Sequence, residues 1–208
     1  MESSTEVRRA IEASTIAEAF RITVASRPDA VAVRTKDDEV TLTWSELQGR
    51  ADALAGGLAA LGLGKGQCAA ILLTNRPEFH VADLAIMETG GTPFSIYPTY
   101  APNQIAYVVS DAAARIVITE PSFLENVLEA RKELPELEHI IVVDSGPGGP
   151  PEGCLRLEDV EGANPGFDVE ASIAALEPDD VLTLIYTSGT TGPPKGVMLT
   201  HANLSWTA

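Results

Sequence analysis

Residues 184–204 read LIYTSGTTGPPKGVMLTHANL, an apolar stretch that breaks into Gly, Ser and Thr, closes on Pro193-Pro194-Lys195 and turns apolar again. These residue types at this spacing suit the holding of a polyphosphate, which needs backbone N–H groups within reach, hydroxyl donors and a cation. Gly189 and Gly192 let the backbone approach a ligand with no Cβ in the way, and Thr187, Ser188, Thr190 and Thr191 place four hydroxyls in five positions. Lys195 adds a mobile ammonium. Pro193 and Pro194 have no N–H, so the backbone donors must come from residues 188–192, while two fixed φ angles stiffen the side that carries the lysine. The string is not a Walker A loop, because Pro194 stands where that loop needs glycine before its lysine, and no G-x-G-x-x-G occurs in the chain. Composition alone leaves an ordinary turn between two strands equally open.

A loop of this kind works only when rigid elements hold both of its ends, and the rest of the chain supplies an alternation of helices and strands. A helix is expected over 15–25, strands over 30–34 and 40–43 around a charged turn, and a further helix from residue 43. Thr43 and Glu46 form a T-x-x-E capping box there, and Leu47, Ala51, Leu54, Leu58 and Leu61 recur at spacings of four, three, four and three before Gly62 and Gly64. That stripe is core. Residues 68–73 form an apolar run of the fully buried strand type, and Asn75, Pro77 and Glu78 open a helix that Gly90-Gly91 turns into a strand over 92–97. Helix 102–112, strand 115–119, helix 121–133 and strand 139–143 complete an α/β pattern with parallel strand pairing. Residues 145–153 are a Gly/Pro-rich surface loop, and the sparse, acidic segment after it is read as loop through Asp168. A short helix near 171–176 and a strand over 181–187 then deliver the Thr187 loop.

Composition narrows the partners. Of 208 residues, 45% are hydrophobic and 21% charged, and the formal charge of −16 opposes nucleic acid or an anionic membrane surface as partner. A small anion bound with a divalent cation responds instead to the local field of its loop. Cys68 and Cys154 have neither disulfide-framework nor zinc spacing, no apolar run approaches the ~18 residues of a membrane span, and the N-terminus lacks a signal-peptide core. A reducing, cytoplasmic location is expected. His80 and His139 stand apart from any nucleophile or metal partner and are read as structural or solvated. His201 follows Thr200, a candidate N-cap, and is not read as catalytic; Glu177, Asp179 and Asp180 read as a solvated acidic patch.

The string 184–204 closely resembles the phosphate-loop signature of the adenylate-forming (AMP-binding) superfamily, which holds acyl-CoA synthetases, luciferases and peptide-synthetase adenylation domains. Leu42-Thr43-Trp44-Ser45-Glu46-Leu47 is similar to that family's early L-T-Y-x-E-L element, with Trp44 in place of tyrosine. Residues 85–94 resemble its A-x-x-x-A-G-A-x-x-V-P element, with Thr89 where alanine is usual. The resemblance extends from about Thr15 onward and implies a partial N-terminal lobe of that fold, a mostly parallel sheet flanked by helices. It implies a flexible segment 1–14, an incomplete AMP-binding domain over 15–208 with its phosphate loop at 187–195, and a C-terminal domain absent from this chain. The implied reaction joins a carboxylic acid to the α-phosphate of ATP with release of pyrophosphate, then passes the acyl group to a thiol such as CoA.

By the same resemblance Thr187, Ser188, Gly189, Thr190, Thr191 and Gly192 contact phosphate, Lys195 stabilises phosphate charge, and Thr187 also touches Mg²⁺. The string Ile96-Tyr97-Pro98-Thr99, followed by Asn103-Gln104-Ile105-Ala106-Tyr107, looks more like fatty acyl-CoA synthetases than amino-acid-activating domains. Members of the family are more than twice as long, so the chain is expected to be an N-terminal fragment, inactive alone and with exposed apolar surface. An adenylating module that loads a carrier protein and a non-catalytic remnant stand as alternatives.

Overall fold

The computed structural model describes residues 9–187 and 192–207. Two layers of helices enclose a seven-stranded sheet in the order β7-β6-β5-β3-β4-β8-β9. The strands are β3 (Cys68–Leu72), β4 (Thr92–Ser95), β5 (Ile116–Thr119), β6 (His139–Val142), β7 (Leu155–Arg156), β8 (Val181–Thr187) and β9 (Lys195–Thr200). All neighbours run parallel except β9, which lies antiparallel against β8 at the edge. A separate antiparallel hairpin pairs β1 (Val31–Arg34) with β2 (Thr41–Thr43).

The central strands are short runs of Val, Ile, Leu and Ala because both sheet faces are covered. On one face Ile71, Ile116, Ile118 and Ile141 pack with Leu54, Leu58 and Ile86, which come from α2 (Trp44–Ala60) and α3 (Pro77–Glu88). On the other, Leu72, Phe94, Val117 and Ile140 pack with Ile105 and Val109 of α4 (Pro102–Asp111) and Val127 of α5 (Pro121–Arg131). The period-2 alternation of a strand sends neighbouring residues to opposite cores, so runs apolar throughout are what a doubly covered sheet requires.

The helix boundaries follow capping chemistry. Thr43 accepts from the Glu46 N–H at 3.2 Å while the Glu46 carboxylate accepts from the Thr43 N–H at 2.8 Å, the reciprocal pair expected from the sequence. Helices α3, α4 and α5 each begin on proline, whose missing N–H costs nothing in a first turn. The N-cap of α3 is Arg76, one residue later than Asn75. Helix α1 (Ile16–Ser26) is capped by Thr15 and fastened to the body by Arg21, which meets Asp52 at 2.5 Å, Glu88 at 3.0 Å and Glu170 at 3.4 Å.

One sequence expectation fails. The acidic segment after residue 153 is not loop throughout: β7 extends the sheet beside β6, and α6 (Leu157–Glu161) buries Leu157 and Val160 against α2. Gly57 of α2 makes room for it, since a Cβ there would stand 1.9 Å from the Val160 carbonyl oxygen. Five residues of helix carry too few apolar positions for a 3.6-residue period to show, and acidic neighbours mask the two that matter. Residues 145–153 do form turns, closed where Arg156 Nη2 donates to the Gly146 carbonyl at 2.9 Å. The strand expected over 92–97 ends at Ser95, and the helix expected near 171–176 is α7 (Val169–Ala174).

Candidate functional site

Strands β8 and β9 form a hairpin whose tip lies at the carboxyl end of β8, the end of a parallel strand where α/β sheets bind ligands. Its closing pair is Thr187 opposite Lys195, both exposed. Gly192 has φ +99°, and a Cβ there would meet nothing within 4 Å, so glycine is required by the backbone turn rather than by crowding. The expected phosphate contacts Ser188, Gly189, Thr190 and Thr191 lie outside the described residues. Of the expected set, the structure therefore brings together Thr187, Gly192 and Lys195 at one mouth.

Helix α4 holds this mouth from below with two residues one turn apart. Tyr107 donates its hydroxyl to the Pro194 carbonyl at 3.0 Å, on the residue just before Lys195. Asp111, four positions on, accepts from the Tyr186 hydroxyl at 2.8 Å. The Tyr186 ring is buried, with the Phe94 ring centroid 5.6 Å away on one side and Gly196 on the other, where a Cβ would come within 3.1 Å of the ring. Burial, then the Asp111 carboxylate, raises the pKa of this phenol, so it stays a proton donor. Sequence reading missed Tyr107, Asp111 and Tyr186. The available signal was the i, i+4 spacing of Tyr107 and Asp111 on a helix that otherwise reads as plain core packing.

Strand β8 is tied to β4 mainly by side chains. Their ladder has one register pair, Phe94 with Leu184, and two threonines reinforce it: Thr92 Oγ1 donates to the Val181 carbonyl at 3.0 Å and Thr183 Oγ1 to the Pro93 carbonyl at 2.9 Å. Beside the tip, a cleft of about 730 Å³ opens at the carboxyl ends of β3 and β4, floored by Leu73, Ile96 and Tyr186 and rimmed by Thr74, Asn75 and Tyr97. A second cleft of about 500 Å³ opens toward the amino ends of β3, β4 and β8, with Asp111, Asp179 and Asp180 in its lining. Those carboxylates make it a poor phosphate site.

The acidic patch before β8 is more specific than a solvated face. Asp180 pairs with Lys65 Nζ at 2.8 Å and accepts from the Glu177 N–H at 2.7 Å, which pulls its pKa below the usual carboxylate range against a desolvation cost. His80 is exposed, and His139 is half-buried at the start of β6, 3.9 Å from Glu138. Among the described residues no group of three or more His, Cys, Asp or Glu is placed to hold a metal ion. No described helix is long and apolar enough to cross a membrane. Cys68 and Cys154 are free thiols, each half-buried, and burial raises both pKa values.

The model of the AMP-binding enzyme family matches residues 20–208. The uncharacterised protein Rv1549 of Mycobacterium tuberculosis is 35% identical over 143 residues, which is 69% of this chain and 80% of that protein. The long-chain-fatty-acid–CoA ligase ACSBG1 of Macaca fascicularis is 31% identical over 183 residues, 86% of this chain but 25% of the ligase. The crystal structure of the anthranilate CoA ligase AuaEII, in complex with anthranoyl-AMP, aligns with a TM-score of 0.81 at 28% identity, over 90% of this chain and 35% of that one. The chain thus spans about a quarter to a third of these ligases and most of the mycobacterial protein. A match that starts inside α1 and runs through the Thr187–Lys195 hairpin takes in every strand of the sheet, and the chain belongs to the AMP-binding enzyme family.

Proposed function

We propose that this chain is the N-terminal, phosphate-binding part of an AMP-forming acid–CoA ligase. The observation that carries the reading is the hairpin mouth, where Thr187 and Lys195 stand opposite each other at the carboxyl end of β8, in a chain matched by the family model over 20–208. Adenylation of an acid places growing negative charge on the departing pyrophosphate, so the useful protein groups are fixed donors and a cation aimed at the β and γ phosphates. The Lys195 ammonium supplies the cation. Thr187 and Ser188 supply hydroxyls, and the backbone of Gly189, Thr190, Thr191 and Gly192 supplies N–H groups. Tyr107 and Tyr186 hold the base of the hairpin, which fixes where Thr187 and Lys195 stand relative to α4.

Mg²⁺ fits the site as an ion carried chiefly by phosphate oxygens, with the Thr187 hydroxyl as a protein ligand and charge neutralisation as its chemistry. CoA is the proposed acyl acceptor. A fatty acid is the proposed substrate, supported by the 96–99 and 103–107 strings and by the name of the macaque relative, while the anthranilate ligase among the structural neighbours makes an aryl acid the competing choice. A carrier-protein thiol in place of CoA, and a non-catalytic remnant, are the remaining alternatives. Residues 1–208 taken alone are proposed not to turn over, since they cover only about a quarter to a third of the ligases they match.

The test is acid-dependent exchange of labelled pyrophosphate into ATP by the longest chain made in the source cells, followed by thioester formation with CoA across a panel of fatty and aryl acids. Exchange with thioester formation is the expected result. Exchange without transfer to CoA would favour the carrier-protein reading, and absence of exchange with every acid would leave the remnant reading.

A further inference from the structure

His201 is buried at the junction of β9 with α8 (His201–Thr207), and its Nδ1 accepts the backbone N–H of Ile16, the first residue of α1, at 3.1 Å across 185 positions of sequence. The same junction is closed on every side. The His201 N–H donates to the Asp180 carbonyl at 3.1 Å and the Ala202 N–H to the Pro178 carbonyl at 2.8 Å, which brings the end of β9 back to the start of β8. Thr200 and Asn203 cap the helix reciprocally, at 3.1 and 3.2 Å.

This junction has a task that apolar packing does not perform. A strand with one buried face holds its register because a one-residue slip would expose its apolar side chains. Within residues 1–208 strand β9 has little of this constraint, since Val197 and Met198, which point to opposite faces, are both exposed and Leu199 is only half-buried. Its register runs from Thr183 with Leu199 to Thr187 with Lys195, with one shift before Val181 meets Thr200, and contacts at both ends hold it. Tyr107 fixes the tip through Pro194, and the His201 junction fixes the root.

We infer that His201 is a positioning residue for the phosphate hairpin, setting the register that brings Lys195 opposite Thr187 by tying the end of β9 to the first turn of α1. The inference rests on the phosphate-loop reading of residues 187–195. It requires an imidazole with an unprotonated Nδ1. A proton there would set N–H against N–H and put positive charge at the N-terminus of a helix. Burial disfavours that proton, and Asp180, itself paired with Lys65, partly opposes the effect. The Glu18 carboxylate on the first turn of α1 is turned to the Ser14 N–H, at 2.7 Å.

Three substitutions in the full chain test it, read by KM for ATP in pyrophosphate exchange and by thermal unfolding against pH. His201→Leu removes the acceptor and should raise KM for ATP about fivefold or more, the scale of one lost hydrogen bond. His201→Asn keeps an acceptor near the position of Nδ1 but does not titrate. It should restore KM and flatten the loss of stability expected of the native protein as pH falls below about 6.5. Ile16→Pro removes the donor at a position where proline suits a helix, behind a Thr15 already extended at φ −135° and ψ 159°, and should reproduce the His201→Leu effect beyond that of Ile16→Ala. Combined with His201→Leu it should add nothing further.

Lowered melting temperature with unchanged KM for ATP in His201→Leu and Ile16→Pro would overturn the inference and leave the ligase reading standing, as would failure of His201→Asn to rescue. A native chain with no exchange at all would instead remove the ligase reading and the inference with it. Should His201→Leu not fold, the Ile16→Pro and His201→Asn comparison decides alone.

Discussion

At the scale of single residues, the hairpin mouth separates groups that would act on substrate from groups that hold them in place. Lys195 is exposed and stands at the end of its strand, so on the ligase reading Lys195→Ala in the full-length protein should lower pyrophosphate exchange by roughly 10²–10³-fold with little change in melting temperature. The Tyr107 hydroxyl donates to the Pro194 carbonyl at the loop base, and Tyr107→Phe should act differently, raising KM for ATP a few-fold through the loss of about 1 kcal/mol of fixation. Equal losses in both variants, in kcat and KM alike, would mean that this division of labour is wrong. The residue types around Thr187 and Lys195 left an ordinary turn equally open, and the resemblance of the whole 184–204 string to a family signature is what pointed to phosphate. Tyr107, Asp111 and Tyr186 gave no such sign, because a tyrosine hydroxyl that bonds a distant carbonyl looks in sequence like any core aromatic.

At the scale of elements, α2 carries glycines of opposite meaning. Gly57 faces α6, where a Cβ would stand 1.9 Å from the Val160 carbonyl oxygen, so Gly57→Ala must push backbone apart and should cost about 3 kcal/mol or more. Gly49, in the same helix, has nothing within 4 Å of a built Cβ, and Gly49→Ala should stabilise by about 0.5–1 kcal/mol. Urea unfolding of the two variants checks both signs, and a destabilised Gly49→Ala would show that the helix face is not open. The strongly patterned elements were legible in the sequence, including the Thr43–Glu46 cap, the proline-led helices and strand β8, whose observed bounds Val181–Thr187 match the expectation. Elements β7 and α6 were not legible, because two to five residues hold less than two helical turns and no more than one strand period.

At the scale of the whole molecule, two buried titrating groups pull stability in opposite directions with pH. Glu88 is fully buried beside Arg21, Asp52 and Glu170, and desolvation pushes its pKa up to about 8. A carboxyl raised in the folded state binds its proton more tightly there than in the unfolded chain. Its contribution is therefore full below about pH 4.5 and is lost as pH rises toward 8. His201 has the opposite sense, because its lowered pKa gives a contribution present above about pH 6.5 and lost below it. Stability should peak between those limits. Glu88→Gln should be near neutral at pH 5 and stabilising by on the order of 2 kcal/mol near pH 9. Melting curves over that range check it, and a Gln variant no more stable at pH 9 than at pH 5, relative to the native chain, would show that Glu88 is ionised throughout.

The sequence by itself determined the α/β class, the extent of most helices and strands, and the family, through strings whose residue types and spacing are locally constrained by capping and turn chemistry. Only the tertiary structure decided which distant residues serve the loop. Within residues 1–208 the edge strand β9 has little buried apolar surface, and the contacts at its ends come from Tyr107 on one side and from the His201–Ile16 bond on the other. Contacts across 87 and 185 positions leave no periodicity in the chain, since they follow from where the folded sheet brings its ends.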